Sequence, residues 1–342
     1  MLRHLTLNVL LAFTGVAVFL VVAEFLVPHV VTLRDVGASF TEYDSVVGKR
    51  LKTNFSVVRT GPEFTMAFST NSLGVRGEEP QFPPERPLIF LGDSFTMGYG
   101  VSNGEEFPAV IQAALRQRMG AQAPMSLNLG VGNSGNGFWI RHLDHTAPRY
   151  NPRLVVMEVL QNDFKDNLDE HLYELDKDGQ LVEFPIPAPS WPRQLQQFGE
   201  RIPLVANSNL LALARQAIVT TAGAGFAGSQ RTIDPETAVI SDENTMAPGD
   251  PLTLQIVETA IRRCQAKGWP VLVLSVGLTE ARRQAIASRV KATGAPLLEL
   301  PSKKDRPDLF FRVDGHWNVN GHREAARQLL ARIDELKLLD SR

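Results

Sequence analysis

The sequence predicts an α/β protein, a three-layer α/β/α sandwich around a five-stranded, mostly parallel sheet, preceded by one membrane-spanning helix. Three observations carry this expectation. From residue 87 onward, five short apolar runs alternate with segments of helical period. Strands that alternate with helices make a parallel sheet covered on both faces. Near the N-terminus, residues 5–23 are uncharged and almost wholly apolar, close to the ~20 residues that cross a bilayer. Finally, a chain of 342 residues with 44% hydrophobic residues can bury a full α/β core.

The elements follow in order. Arg3 precedes the apolar run and favours a cytoplasmic N-terminus. A cleaved signal peptide is the alternative, but its apolar region is usually ~7–15 residues. The run here is longer, and Val21-Val22-Ala23 matches a cleavage site poorly. An uncleaved anchor is therefore expected in residues 1–33, with the remainder outside the cytoplasm. Residues 34–86 read as an extended lead-in packing on the core. Within it, residues 64–70 alternate like a strand, residues 71–77 look like a turn, and residues 81–87 form a proline-rich linker.

The core, residues 87–342, opens with Leu88-Ile89-Phe90-Leu91, a buried strand that stops at Gly92-Asp93-Ser94. Helical periodicity covers residues 105–119, with Gly120 as a stop. Strands are expected at 125–129, 154–160, 270–276 and 297–300, and helices at 135–145, 251–267, 279–293 and 319–338. Residues 165–250 break the rhythm with a proline cluster at 185–192 and a small-residue run at 220–229. They read as an insertion, either a lid or a tolerated surface excursion.

Composition narrows the function. A formal net charge of -2 argues against a nucleic-acid binder, which shows a basic face. The single cysteine, Cys264, excludes an internal disulfide and reads as a small buried hydrophobe. No His-Glu-x-x-His metal motif occurs, and His142 and His145 are assigned to a solvated helix face.

A hydroxyl at the carboxyl end of a strand, as Ser94 is placed, is a candidate nucleophile; Asp93 or Ser94 as a helix cap is the plainer reading. Three further stretches fit one site: Asn128-Leu129-Gly130-Val131-Gly132-Asn133, Gln161-Asn162-Asp163 and Asp314-Gly315-His316-Trp317-Asn318. With Gly92-Asp93-Ser94 they resemble the four ordered blocks of the SGNH (GDSL-like) hydrolases. The segment Thr70-Asn71-Ser72-Leu73-Gly74-Val75-Arg76-Gly77 looks like the lead-in of membrane-anchored bacterial members, some related to polysaccharide O-acetyltransferases. Three positions depart from the pattern. Asn133 aligns with the family's second-block glycine, Leu160 replaces the third-block glycine, and Asp314 lies two residues before His316 where the family has three.

The resemblance implies a serine esterase or acyltransferase without a cofactor, acting on an acylated small molecule or polysaccharide. Ser94 would be the nucleophile, His316 the base and Asp314 the group that orients it. The backbone N–H of Ser94, a backbone N–H at Gly132 or Asn133, and the Asn162 amide would form the oxyanion hole. His322 is a second candidate base, and Asp305 and Asp308 are second candidate orienters. Two rival readings stand beside this one. Gly130, Gly132 and Gly135 form a G-x-G-x-x-G after a strand, with Glu158 in the next strand, further on than the ~20 residues at which a dinucleotide site has its ribose-binding acid. The other rival is a non-catalytic glycan-binding relative.

Overall fold

The computed structural model describes residues 2–31, 39–80, 84–189, 207–222 and 245–340, with isolated positions between 190 and 207. The chain divides into two compact units. One comprises Met1–Ser39, Arg59–Pro62 and Ser190–Gln230; the other comprises Phe40–Val58, Glu63–Pro189 and Arg231–Arg342. The proposed linker positions 81–83 and most of the small-residue run at 220–229 lie outside the described residues.

In the smaller unit, helix α1 (Leu2–Val30) contains Leu10–Val30, which is long and apolar enough to cross a membrane and has no part buried. Pro28 lies in its last turn, where a missing N–H disturbs little that follows. Glu24 of α1 meets the start of a helix supplied much later in the chain, described below.

In the larger unit, β1 (Thr41–Asp44) and β2 (Gly48–Leu51) pair antiparallel. β3 (Ser56–Thr60) and β4 (Thr65–Ser69) form a second two-stranded sheet. Then β5 (Leu88–Leu91), α2 (Ser94–Met97), α3 (Phe107–Met119), β6 (Ser126–Asn128), α4 (Gly137–His145) and β7 (Leu154–Leu160) follow. After α5 (Asp163–Glu170) comes an antiparallel hairpin of β8 (Tyr173–Leu175) and β9 (Leu181–Glu183). The smaller unit takes up α6 (Asn209–Ala222), and the larger closes with α7 (Asp250–Ala266), β10 (Val271–Val276), α8 (Glu280–Thr293), β11 (Leu297–Leu300) and α9 (Val319–Glu335).

The main sheet has the order β11-β10-β7-β5-β6, and every pair in it is parallel. Alternation along the strands fills two apolar layers. Ile89, Leu91, Val155, Met157 and Val273 face α4, α7 and α8, meeting Trp139, Val257, Ile261 and Ile286. Leu88, Phe90, Val156, Leu272 and Leu274 face α3 and α9, meeting Phe107, Ile111, Ala326 and Leu329. Strands buried on both faces must be apolar throughout, which is why they read as continuous runs. Each fully buried side chain of this size contributes roughly 1.5–3 kcal/mol. A third cluster joins Phe40, Leu51, Met66 and Phe68 to Met97, Tyr99 and Val131. It packs the lead-in strands against the turn after β5.

This order matters for function. The chain leaves β5 for β6 on one side and returns to β7 on the other. The crevice at the carboxyl ends of β5 and β7 is therefore a topological switch point, where open α/β sheets bind ligands.

Candidate active site

Three of the sequence stretches follow the carboxyl ends of three adjacent strands. Ser94 comes after β5, Gly132 and Asn133 after β6, and Asn162 after β7. The nucleophile reading and the cap reading describe the same place. Asp93 caps α2, its Oδ1 accepting the Phe95 N–H at 2.9 Å, and Ser94 is the first residue of that helix. Gly130 lets the β6 turn approach α2, because a Cβ there would lie 2.4 Å from the Met97 nitrogen. Asn128 ties the two together, with its Nδ2 donating to the Thr96 carbonyl at 2.8 Å and its Oδ1 accepting the Gly130 N–H at 3.0 Å.

Asp314 and His316 arrive on a loop closed by an antiparallel bridge between Phe310 and Trp317. The Phe311 N–H donates to the His316 carbonyl at 2.8 Å. Gly315 has φ of +88°, a conformation other residues adopt at a cost. It turns the chain back within two residues, so the short Asp–His spacing still brings the side chains together. His316 Nδ1 lies 2.6 Å from Asp314 Oδ1, and His316 Nε2 lies 2.7 Å from Ser94 Oγ. The imidazole packs between the rings of Phe95 and Tyr99, at 5.1 and 5.0 Å between centroids. A hydroxyl bonded to an imidazole that is bonded to a carboxylate can pass a proton from oxygen to nitrogen while the carboxylate holds the ring.

The surroundings are rich in buried carboxyls. Burial pushes Asp93 above the usual carboxylate range, against the pull of the Phe95 N–H, the Asn162 amide and the nearby imidazole. Glu158, in the middle of β7, is raised well above it by burial and by Asp93, and it accepts the Thr96 hydroxyl. Asp163 is raised well above it by burial, with Asp93 adding to the effect. It accepts the Leu160 N–H at 2.8 Å and the Asn136 amide at 2.7 Å. Asn162 donates to Asp93 Oδ2 and to Asp166 Oδ2, each at 2.9 Å, and its Oδ1 is buried without a partner. Both amide hydrogens are thus directed at carboxylates. Asn133 adopts φ of +53°, a left-handed conformation that asparagine tolerates better than most residues. Its carbonyl accepts the Lys49 ammonium at 2.7 Å.

The other sequence candidates lie elsewhere. His322 is fully buried, with Nδ1 accepting the Phe107 N–H at 3.3 Å and the ring stacked on Phe107. Burial lowers it to about 3, so it stays neutral. Asp305 bonds Ser302 and Asp308 bonds Arg306, both on the surface. The solvated face assigned to His142 is corrected: His142 is buried and lowered to about 4 by burial, and only His145 is exposed. Two of the three glycines of the G-x-G-x-x-G have their N–H groups engaged within the protein, Gly130 by Asn128 Oδ1 and Gly135 by a carboxylate. The Gly135 N–H donates to the Glu170 carboxylate at 3.1 Å, and a Cβ on Gly135 would strike Asn167. Glu158 is buried beneath α2, where it accepts the Thr96 hydroxyl. Cys264 is free and buried, its thiol pushed up to about 12 by burial.

Two residues at the site escaped sequence reading. Arg76, quoted only as part of the lead-in, donates to the carbonyls of Met97, Gly98 and Val101 and to Asn103 Oδ1. Glu63, in a turn marked only by Gly61-Pro62, accepts three backbone N–H groups of the Asp314 loop.

No protein-family model and no curated protein matches the chain. Solved structures resemble it at low identity. A crystal structure of TesA is 12% identical, with a TM-score of 0.44, over 73% of this chain and 99% of its own. The acetyl xylan esterase AlAXEase is 13% identical, with a TM-score of 0.40, over 72% and 99%. A lipolytic protein of the G-D-S-L family from Desulfitobacterium hafniense is 10% identical, with a TM-score of 0.40, over 72% and 98%.

Proposed function

We propose that this chain is an SGNH-type serine acyl esterase or O-acyltransferase, anchored in the plasma membrane by α1, with its site outside the cytoplasm. The observation that supports this is the line from Ser94 Oγ to His316 Nε2 at 2.7 Å and from His316 Nδ1 to Asp314 Oδ1 at 2.6 Å.

Ser94 Oγ attacks the ester carbonyl as its proton passes to His316 Nε2. Asp314 holds the Nδ1–H tautomer and stabilises the imidazolium. The carbonyl oxygen, now negative, takes hydrogen bonds from the Ser94 N–H and a Gly132 or Asn133 N–H. The Asn162 amide joins them by leaving one of its two carboxylates. Each donor contributes roughly 3 kcal/mol to the transition state. The imidazolium then protonates the leaving alcohol, giving an acyl-serine. Water or a second alcohol attacks that acyl group, which yields hydrolysis or transfer. An acylated small molecule or polysaccharide suits a site facing away from the cytoplasm.

The test is labelling of the detergent-solubilised full chain with a fluorophosphonate, followed by peptide mapping. Modification of Ser94, lost in Ser94→Ala together with p-nitrophenyl acetate turnover, is expected. Labelling at another residue, or wild-type turnover in Ser94→Ala, overturns the reading. Membrane fractionation and N-terminal sequencing test the anchor; a mature N-terminus just after Ala23 replaces it with a cleaved signal.

A further inference from the structure

The loop bearing Asp314 and His316 is bridged at its base by Phe310 and Trp317 and by the Phe311 N–H to His316 carbonyl bond. Its tip, Arg312 and Val313, is exposed. One carboxylate gathers the backbone there. Glu63 Oε1 accepts the Arg312 N–H at 3.0 Å, and Oε2 accepts those of Val313 and Asp314 at 2.7 and 2.9 Å. Successive backbone N–H groups converging on an anion form a nest, whose conformation the anion fixes. Setting the backbone at Asp314 sets the direction of its side chain, and so the 2.6 Å contact with His316.

The neighbouring residue adds a second hold. Phe64 packs on Phe311 at 5.2 Å and on Tyr99 at 5.4 Å, and Tyr99 in turn lies 5.0 Å from the His316 ring. The start of β4 thus touches the loop at its backbone, at Phe311 and, through Tyr99, at the base itself. All three of these donors belong to the distant loop rather than to β4's own hairpin.

We propose that Glu63 is a positioning residue for the reaction: its carboxylate holds the Asp314–His316 loop in register with Ser94. The inference rests on Ser94 being the nucleophile. A loop displaced by about 1 Å costs on the order of 100-fold in rate. Glu63→Ala is therefore expected to lower kcat for p-nitrophenyl acetate ~100-fold with KM nearly unchanged. Rates are taken per folded site, the folded fraction being read by urea denaturation, because a misplaced imidazole slows fluorophosphonate labelling as well. The pH profile changes with them. Without a placed imidazole, turnover rises with hydroxide rather than levelling once the imidazole is neutral. A purely structural role would lower the melting temperature and the folded fraction and leave kcat per folded site and the profile as in wild type; that result overturns the proposal.

Should Glu63→Ala fail to fold, Glu63→Asp and Glu63→Gln decide. Aspartate keeps the charge that the three donors meet, whereas glutamine turns an NH2 towards one of them. Higher kcat per site in Glu63→Asp supports the clamp, and equal or higher kcat in Glu63→Gln overturns it. Ser94→Ala is run alongside. Wild-type turnover there sinks the esterase reading and the clamp together. An inactive Ser94→Ala with a wild-type Glu63→Ala sinks the clamp alone.

Discussion

The serine side and the histidine side of the site are held by different means. Every residue from Leu88 to Val101 is buried, and Ser94 sits between an N-cap, Asp93, and a left-handed C-cap, Gly98. Arg76 then ties down the carbonyls at the end of that turn. The histidine side is a hairpin loop whose tip is in water and whose anchor, Glu63, comes from the other end of the sequence. The geometry at Ser94 is a property of the core. The geometry at His316 is imposed by contact. Disturbing the first should therefore cost stability, and disturbing the second should cost rate.

The largest effects come from the reacting groups. Ser94→Ala and His316→Ala are each expected to lower kcat by about 10⁴- to 10⁶-fold, because the two act as one unit. His322→Asn, which keeps an acceptor for the Phe107 N–H, should leave kcat per folded molecule near wild type. Steady-state kinetics of the three variants check this; loss in His322→Asn with activity in His316→Ala would exchange their roles. Asp314→Asn should fall between, at roughly 10³- to 10⁴-fold, since the base remains with the wrong tautomer.

Arg76→Ala breaks the serine side instead. It removes the partner of Glu106, a buried carboxylate 3.6 Å from the guanidinium. The expected cost is ~3–5 kcal/mol of folding stability, read by urea denaturation. Its kcat per folded molecule should change less than that of Glu63→Ala, the reverse of which would undo the contrast.

The two sides also respond to pH with opposite signs. His322, behind the loop, is depressed to about 3 by burial from an ordinary value of 6.5. Below pH 6.5 the unfolded chain binds a proton that the native ring refuses, so stability present above that pH is lost as pH falls. Near the serine side, burial raises Glu158 and Asp163, and raises Glu170 from 4.5 to about 8. Their contribution is complete below the ordinary carboxylate value and is lost as pH rises through their raised values, which for Glu170 means towards 8. Melting temperatures across this range should fall on both sides, and His322→Asn should flatten the acid limb alone. The smallest effect is expected from Glu158→Gln. A carboxyl held neutral under α2 is already close to an amide, so activity and melting temperature at neutral pH should barely move.

Much of this was legible in the residues. The five sheet strands announce themselves because both faces are covered, leaving no polar alternation to blur them. Ser94, Asn162 and His316 were legible because each follows an abrupt end of an apolar run or a glycine. The antiparallel pair β1 and β2 was not, since its residues are mostly half-buried and carry no period. That same pair explains His142. The Arg141 side chain reaches the Val46 carbonyl, and a Cβ on Gly48 would strike Phe138, so the pair covers a helix face that periodicity assigns to water. Glu63 left no trace because its partners are backbone N–H groups, which every residue but proline supplies.

The hook between α1 and α6 has a practical consequence for anyone handling this protein. Glu24 accepts the N–H groups of Asn209 and Leu210 and the Ser208 hydroxyl, and its carbonyl takes the Asn209 amide at 3.0 Å. Trimming the first thirty-odd residues to gain a soluble product deletes the carboxylate that closes the first turn of α6. What remains there is Asn-Leu-Leu-Ala-Leu-Ala with loose amides and greasy side chains, a sticky end where purification needs a clean one. A trimmed version should therefore lose residues 209–222 as well, or carry a new cap in place of Glu24.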